Sequence, residues 1–184
     1  MRTQGELRSA WARGLELLGT EARQRAGDLT REQLDWQPPE GGWSVGQVLD
    51  HLSQTNELYL REIAGALAAP VPLRRADAAW KPSFAGSLLA KAMVNPRKGP
   101  APRVFRPAPL AGENPLERFE ATVTRLLDAL EGSADADLSR TRIRSPAWRV
   151  ARFNLGEGFL LNILHAERHF GQIDRIKARP QFPR

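Results

Sequence analysis

The sequence predicts an all-α fold: a four-helix bundle with a long crossover between its second and third helices. Three observations lead there. Four segments carry apolar residues every three to four positions, start and stop signals bracket each of them, and no alternating stretch reads as a strand. At 184 residues, a single domain spanning 1–184 is expected, long enough to bury a core.

The first helix runs from about Gly5 to Ala26, with Leu7, Trp11, Leu15, Leu18 and Ala22 as its apolar stripe. Gly27-Asp28 is its stop. Thr30-Arg31-Glu32-Gln33 caps a short turn, and Pro38-Pro39-Glu40-Gly41-Gly42 breaks the chain. The second helix opens at Ser44, which forms a capping box with Gln47, while Trp43 and Val48 have the spacing of a hydrophobic staple. It continues to Leu67 or Ala68, with Val48, Leu52, Leu58 or Tyr59, and Ile63 on its apolar side, until Pro70 and Pro72 end it.

The connection 70–112 is Pro-rich and basic, holding eight of the fourteen prolines. A short helix is expected within Ser83–Met93, followed by a loop from Asn95 to Pro109. In a bundle, so long a crossover lets the helices it joins run parallel, where a short turn would make them antiparallel. The third helix opens at Asn114-Pro115-Leu116-Glu117 and carries Leu116, Phe119, Val123, Leu126, Leu127 and Leu130 to a stop at Gly132. A polar connector from Ser133 to Phe153 leads to the fourth helix, which starts at Asn154 with Glu157 at N3. That helix extends to about Ala178 on a stripe of Leu160, Ile163, Leu164, Ile173 and Ile176.

The net charge of +6 raises the question of nucleic acid. Its location answers against it: 70–112 contains Arg74, Arg75, Lys81, Lys91, Arg97, Lys98, Arg103 and Arg106 against Asp77 alone, so one connection holds the basicity. Aromatic residues there are few (Trp80, Phe84 and Phe105), and no nucleic-acid partner is expected. No apolar run approaches the roughly 20 residues that span a bilayer, so no membrane association is expected either. The polar start Met1–Glu6 does not read as a signal peptide, and the absence of cysteine excludes disulfides, Cys-ligated zinc and a cysteine nucleophile. A cytoplasmic location is the simple expectation.

The chain has three histidines. His165 and His169 lie one helical turn apart on the fourth helix, and His51 lies in the second turn of the second. Neighbouring positions are apolar, so all three imidazoles face the interior, where an unpartnered polar group is costly. Bundles build metal sites from side chains on facing helices, and three histidines with an open fourth position form a recognised catalytic arrangement. The competing reading is histidines that merely pack. Glu167 sits about 200° around the helix from either neighbour, which removes it as a base of the HExxH kind. Three neutral imidazoles leave the full charge on a divalent ion, favouring activation of water or of a thiol. Thr55, Asn162 and Gln172 are candidates to orient a ligand or to partner an imidazole, and no general base stands out. Gly171 is expected to permit close helix packing, and Trp43 to serve as a staple.

Trp43-Ser44-Val45-Gly46-Gln47-Val48-Leu49-Asp50-His51-Leu52, paired with His165-x-x-x-His169-x-Gly171-Gln172-Ile173, resembles the DinB/YfiT-like superfamily of metal-dependent enzymes. Leu34-Asp35-Trp36-Gln37-Pro38 and Ser145-Pro146-Ala147-Trp148 resemble family segments that precede those histidines. The resemblance implies a bundle with parallel second and third helices, and a divalent ion, zinc or nickel foremost, on His51, His165 and His169. It also implies a homodimer. Relatives include transferases and isomerases that use low-molecular-weight thiols such as bacillithiol and mycothiol, and hydrolases. The expected function is a metal-dependent thiol S-transferase joining a thiol to a small-molecule electrophile. The alternatives are a metal-dependent hydrolase that activates water and a non-catalytic, metal-stabilised binding module. The basic 70–112 segment departs from the simplest family pattern.

Overall fold

Four helix starts share one device. Thr3, Thr30, Ser44 and Asn154 each accept a bond from the amide three residues on, and Glu6, Gln33, Gln47 and Glu157 reach back to the amide of the cap. Each box satisfies two of the donors that a helix leaves unpaired in its first turn. The computed structural model describes residues 2–75, 78–94, 106–107, 114–146 and 150–184. Its helices are α1 (Gln4–Ala26), α2 (Arg31–Asp35), α3 (Val45–Leu67), α4 (Phe84–Val94), α5 (Pro115–Gly132) and α6 (Leu155–Lys177). Most of the loop expected over Asn95–Pro109, with Arg97, Lys98 and Arg103, lies outside the described residues, as do Asp77 and Ala147-Trp148.

The bundle proper is α1, α3, α5 and α6, and side-chain pairs give its directions. Asp50 pairs with Arg118 and Glu57 with Arg125, both partners advancing together, so α3 and α5 are parallel as the long crossover predicts. Gly14 faces Ile163 and Arg25 pairs with Asp174, so α1 and α6 are also parallel. Arg8 bonds the Leu130 carbonyl and Arg23 pairs with Glu120, which sets α1 antiparallel to α5. Leu15, Leu49, Leu52, Ile63, Phe119, Leu126, Phe159, Phe170 and Ile173 fill the interior. Each such side chain contributes about 1.5–3 kcal/mol on burial. On α6 the inward positions include Leu155, Phe159 and Phe170, whereas Leu160 and Leu164 of the expected stripe are only half-buried.

The connection between α3 and α5 is not all loop. Its helix α4 packs on α6, tied by Ser83, whose amide and hydroxyl donate to the buried Glu157 carboxylate at 2.5 and 2.8 Å. Trp80 meets Trp11 edge-on at 5.3 Å and donates to Asn154 at 3.3 Å. Gly156 permits this approach, since a Cβ there would overlap the Trp80 ring and lie 2.9 Å from the Trp11 ring; at Gly158 a Cβ would lie 2.7 Å from Ile143 of the connection that precedes α6. At Gly171, where close packing was expected, a Cβ would meet, among the described residues, only the Arg175 side chain at 3.5 Å.

The stretch from Ser133 to Phe153 corrects two expectations. It contains strands β1 (Arg142–Arg144) and β2 (Arg152–Asn154), paired antiparallel with Ile143 opposite Phe153. Three-residue strands are too short for an alternating pattern to register. Nor is the stretch purely polar, since Ala136, Leu138, Ile143 and Phe153 are buried. Polar residues of α1 anchor it: Gln4 donates to Asp137 at 3.0 Å and accepts from the Leu138 amide at 2.8 Å. Arg8 donates to the carbonyls of Leu130, Ser133 and Ala136. No helix among the described residues is long and apolar enough to cross a membrane.

Candidate metal centre

Because α3 and α6 are both buried along most of their length, their polar positions are carried inward with the apolar ones. His51 is 3% exposed, His165 9% and His169 8%, so the three imidazoles lie inside the bundle. The rings stand edge to face with centroids 4.6–4.9 Å apart. One nitrogen from each lies within 4.8 Å of the other two, and His51 Nε2 is 3.1 Å from His165 Nε2. A tetrahedral ion with nitrogens at about 2.0–2.1 Å sets them about 3.3 Å apart. The His51–His165 separation is close to that value, and the widest separation exceeds it.

The electrostatics favour lone pairs over protons. Burial, reinforced by His169, His51 and Arg168, holds His165 well below the ordinary imidazole value. Burial lowers His169 to about 3, with His51, Arg168 and Arg175 adding to the effect and the Gln172 bond opposing it. Both rings are therefore neutral at neutral pH. His169 Nδ1 donates to Gln172 Oε1 at 2.8 Å, which fixes the tautomer and leaves Nε2 with its lone pair. Among the described residues, no carboxylate joins the three histidines. The donor set thus fits a divalent ion taking imidazole ligands, with charge to spare for an anionic further ligand.

The other expected site residues fall in different places. Gln172 is at the cluster, on His169. Thr55 Oγ1 donates to the His51 backbone carbonyl at 2.8 Å, so it braces the turn beneath that ring. Asn162 is 1% exposed and donates from Nδ2 to the Gly158 carbonyl at 2.7 Å. Glu167 is exposed, in keeping with its exclusion by spacing.

Two neighbours escape a reading of periodicity. The Trp43 ring lies 4.8 Å from His51 and stands nearly parallel to His169 at 6.1 Å, forming a wall of the cluster. Gly41 and Gly42, at φ of +90° and +128°, make the turn that delivers it. Staple spacing explains Trp43 as a packing residue, but that spacing does not reveal the ring it covers. Asp50, 2% exposed, pairs with Arg118 and ties the turn carrying His51 to α5.

Parallel α3 and α5, joined by a long crossover and opposed by an α6 that carries two histidines toward a third, define a class of helical bundles with a built-in three-histidine site. The chain belongs to the DinB superfamily, whose sequence model matches residues 15–173. Its fold is similar to that of YfiT from Bacillus subtilis, described as a probable metal-dependent hydrolase with an unusual four-helix bundle topology. The TM-score is 0.62 at 19% identity, covering 96% of this chain and 89% of that one. No curated protein matches the chain in sequence.

Proposed function

We propose that the protein is a metal-dependent hydrolase acting on a small molecule, with a divalent ion, zinc or nickel, on His51, His165 and His169. The observation that carries the metal-dependent part of this reading is the convergence of three buried imidazoles with, among the described residues, no acidic side chain joining them. An ion held there supplies Lewis acidity, lowering the pKa of whichever water or thiol shares the site. The chain's own residues prepare the place for it. Burial keeps the rings of His165 and His169 neutral, Gln172 holds His169 in one tautomer, and Trp43 forms one wall of the cluster. The hydrolytic choice is supported by the fold likeness to YfiT.

A second reading, thiol S-transfer to a small electrophile, is favoured by the donor set. Three neutral ligands leave the ion's charge uncompensated, and a thiolate answers that charge well. Elemental analysis of untagged protein, stripped with chelator and reloaded with zinc or nickel, tests the site. Wild type is expected to retain a stoichiometric ion that His51→Ala and His169→Ala lose; wild type without stoichiometric metal after loading refutes the proposal. The reaction classes separate when loaded protein is offered activated esters and amides, then an electrophile with and without a low-molecular-weight thiol. Metal-dependent turnover without thiol supports hydrolysis, and conjugation that requires thiol supports transfer.

A further inference from the structure

We propose that Asn162 holds the His165 ring through a buried water, so that each imidazole of α6 is positioned by a side-chain amide one turn away. This rests on the metal-binding reading above. His169 has its amide in Gln172, three residues on. His165 has none in direct contact: among the described residues, its buried Nδ1 has no hydrogen-bond partner. Three residues before it, Asn162 is committed through Nδ2 to the Gly158 carbonyl, and that bond fixes the orientation of its amide. The remaining atom, Asn162 Oδ1, is buried and likewise has no partner among the described residues.

These two orphans are complementary. When His165 Nε2, 3.1 Å from His51 Nε2, gives its lone pair to an ion, Nδ1 carries the proton and needs an acceptor, and Asn162 Oδ1 is an acceptor that needs a donor. Helical side chains lean toward the preceding turn, which carries the His165 ring back over the turn that holds Asn162. Buried waters occupy such places, bridging polar groups that the chain leaves unsatisfied. One water accepting from Nδ1–H and donating to Oδ1 satisfies both. Asn162 touches neither ion nor substrate in this scheme; it is a positioning residue that locks the tautomer in which His165 Nε2 is free to ligate.

Long-range 1H–15N spectra of the zinc-loaded protein test the inference directly, because only three imidazoles contribute. In wild type, His165 should show a protonated, slowly exchanging Nδ1, and a His165 ligating through Nδ1 overturns the proposal. Asn162→Leu should lose that slow exchange and bind zinc about 10- to 100-fold more weakly in chelator competition. Asn162→Leu with wild-type affinity and exchange overturns the proposal, as does a lowered thermal midpoint of its metal-free form with zinc affinity unchanged. Wild type that takes up no zinc sinks the metal reading and this inference together; zinc-binding wild type with an indifferent Asn162→Leu sinks this inference alone.

Discussion

Gln172 acts on His169 through one hydrogen bond with two effects: it orients the ring and keeps the proton on the nitrogen that faces away from the cluster. Replacing it by Leu should weaken zinc or nickel binding about 10- to 100-fold, read by competition with a chromophoric chelator, while the metal-free fold persists. Wild-type affinity in Gln172→Leu would show that packing alone holds the ring. This residue was legible in the sequence because its relation to His169 is a helical spacing. The three histidines were legible for the same reason, combined with the apolar character of their helices. Trp43 was not, because its approach to His51 and His169 depends on the left-handed conformations of Gly41 and Gly42 rather than on any period.

The start of α6 is the joint on which the crossover hangs. Glu157 accepts from the Asn154 amide at 2.8 Å as well as from Ser83, so its carboxylate is immobilised between its own helix and the segment leading into α4. A Cβ on Gly86 would overlap that carboxylate. A flexible side chain would swing aside, but this one is held by three bonds and 1% exposed. Gly86→Ala should therefore destabilise the protein by about 1–3 kcal/mol, measured from the urea midpoint. Metal affinity should be unchanged, because the eight residues from Glu157 to His165 put about 12 Å of helix between them. An unaltered midpoint would mean that α4 shifts freely. The helices and their parallel pairing were readable from caps and connection length. The hairpin and the anchoring roles of Gln4 and Arg8 were not, since two short strands and two polar side chains on a helix acquire meaning only from what folds against them.

Over the whole molecule, burying neutral imidazoles links stability to pH. Both His165 and His169 titrate lower in the folded chain than in the unfolded one, so the unfolded state binds more protons once pH falls below the ordinary imidazole value. The contribution is intact above about pH 6.5 and is lost as pH falls from there toward the folded values, at up to about 1.4 kcal/mol per pH unit for each ring. Unfolding of the metal-free protein by urea at a series of pH values checks this, and a profile flat through mildly acid pH would contradict it. A saturating ion works in the same direction: at a free concentration of about 100 times its Kd it adds about 2.7 kcal/mol. The parallel course of α1 and α6 also bears on how the fold resists force. Gln4 and Lys177 stand at opposite ends of neighbouring helices, separated by a helix length of about 35 Å. Tension applied between them runs along the helix axes, loading the α1–α6 contacts in shear all at once. In an up-down-up-down bundle the two ends emerge together, and the same pull peels its outer helices apart one turn at a time.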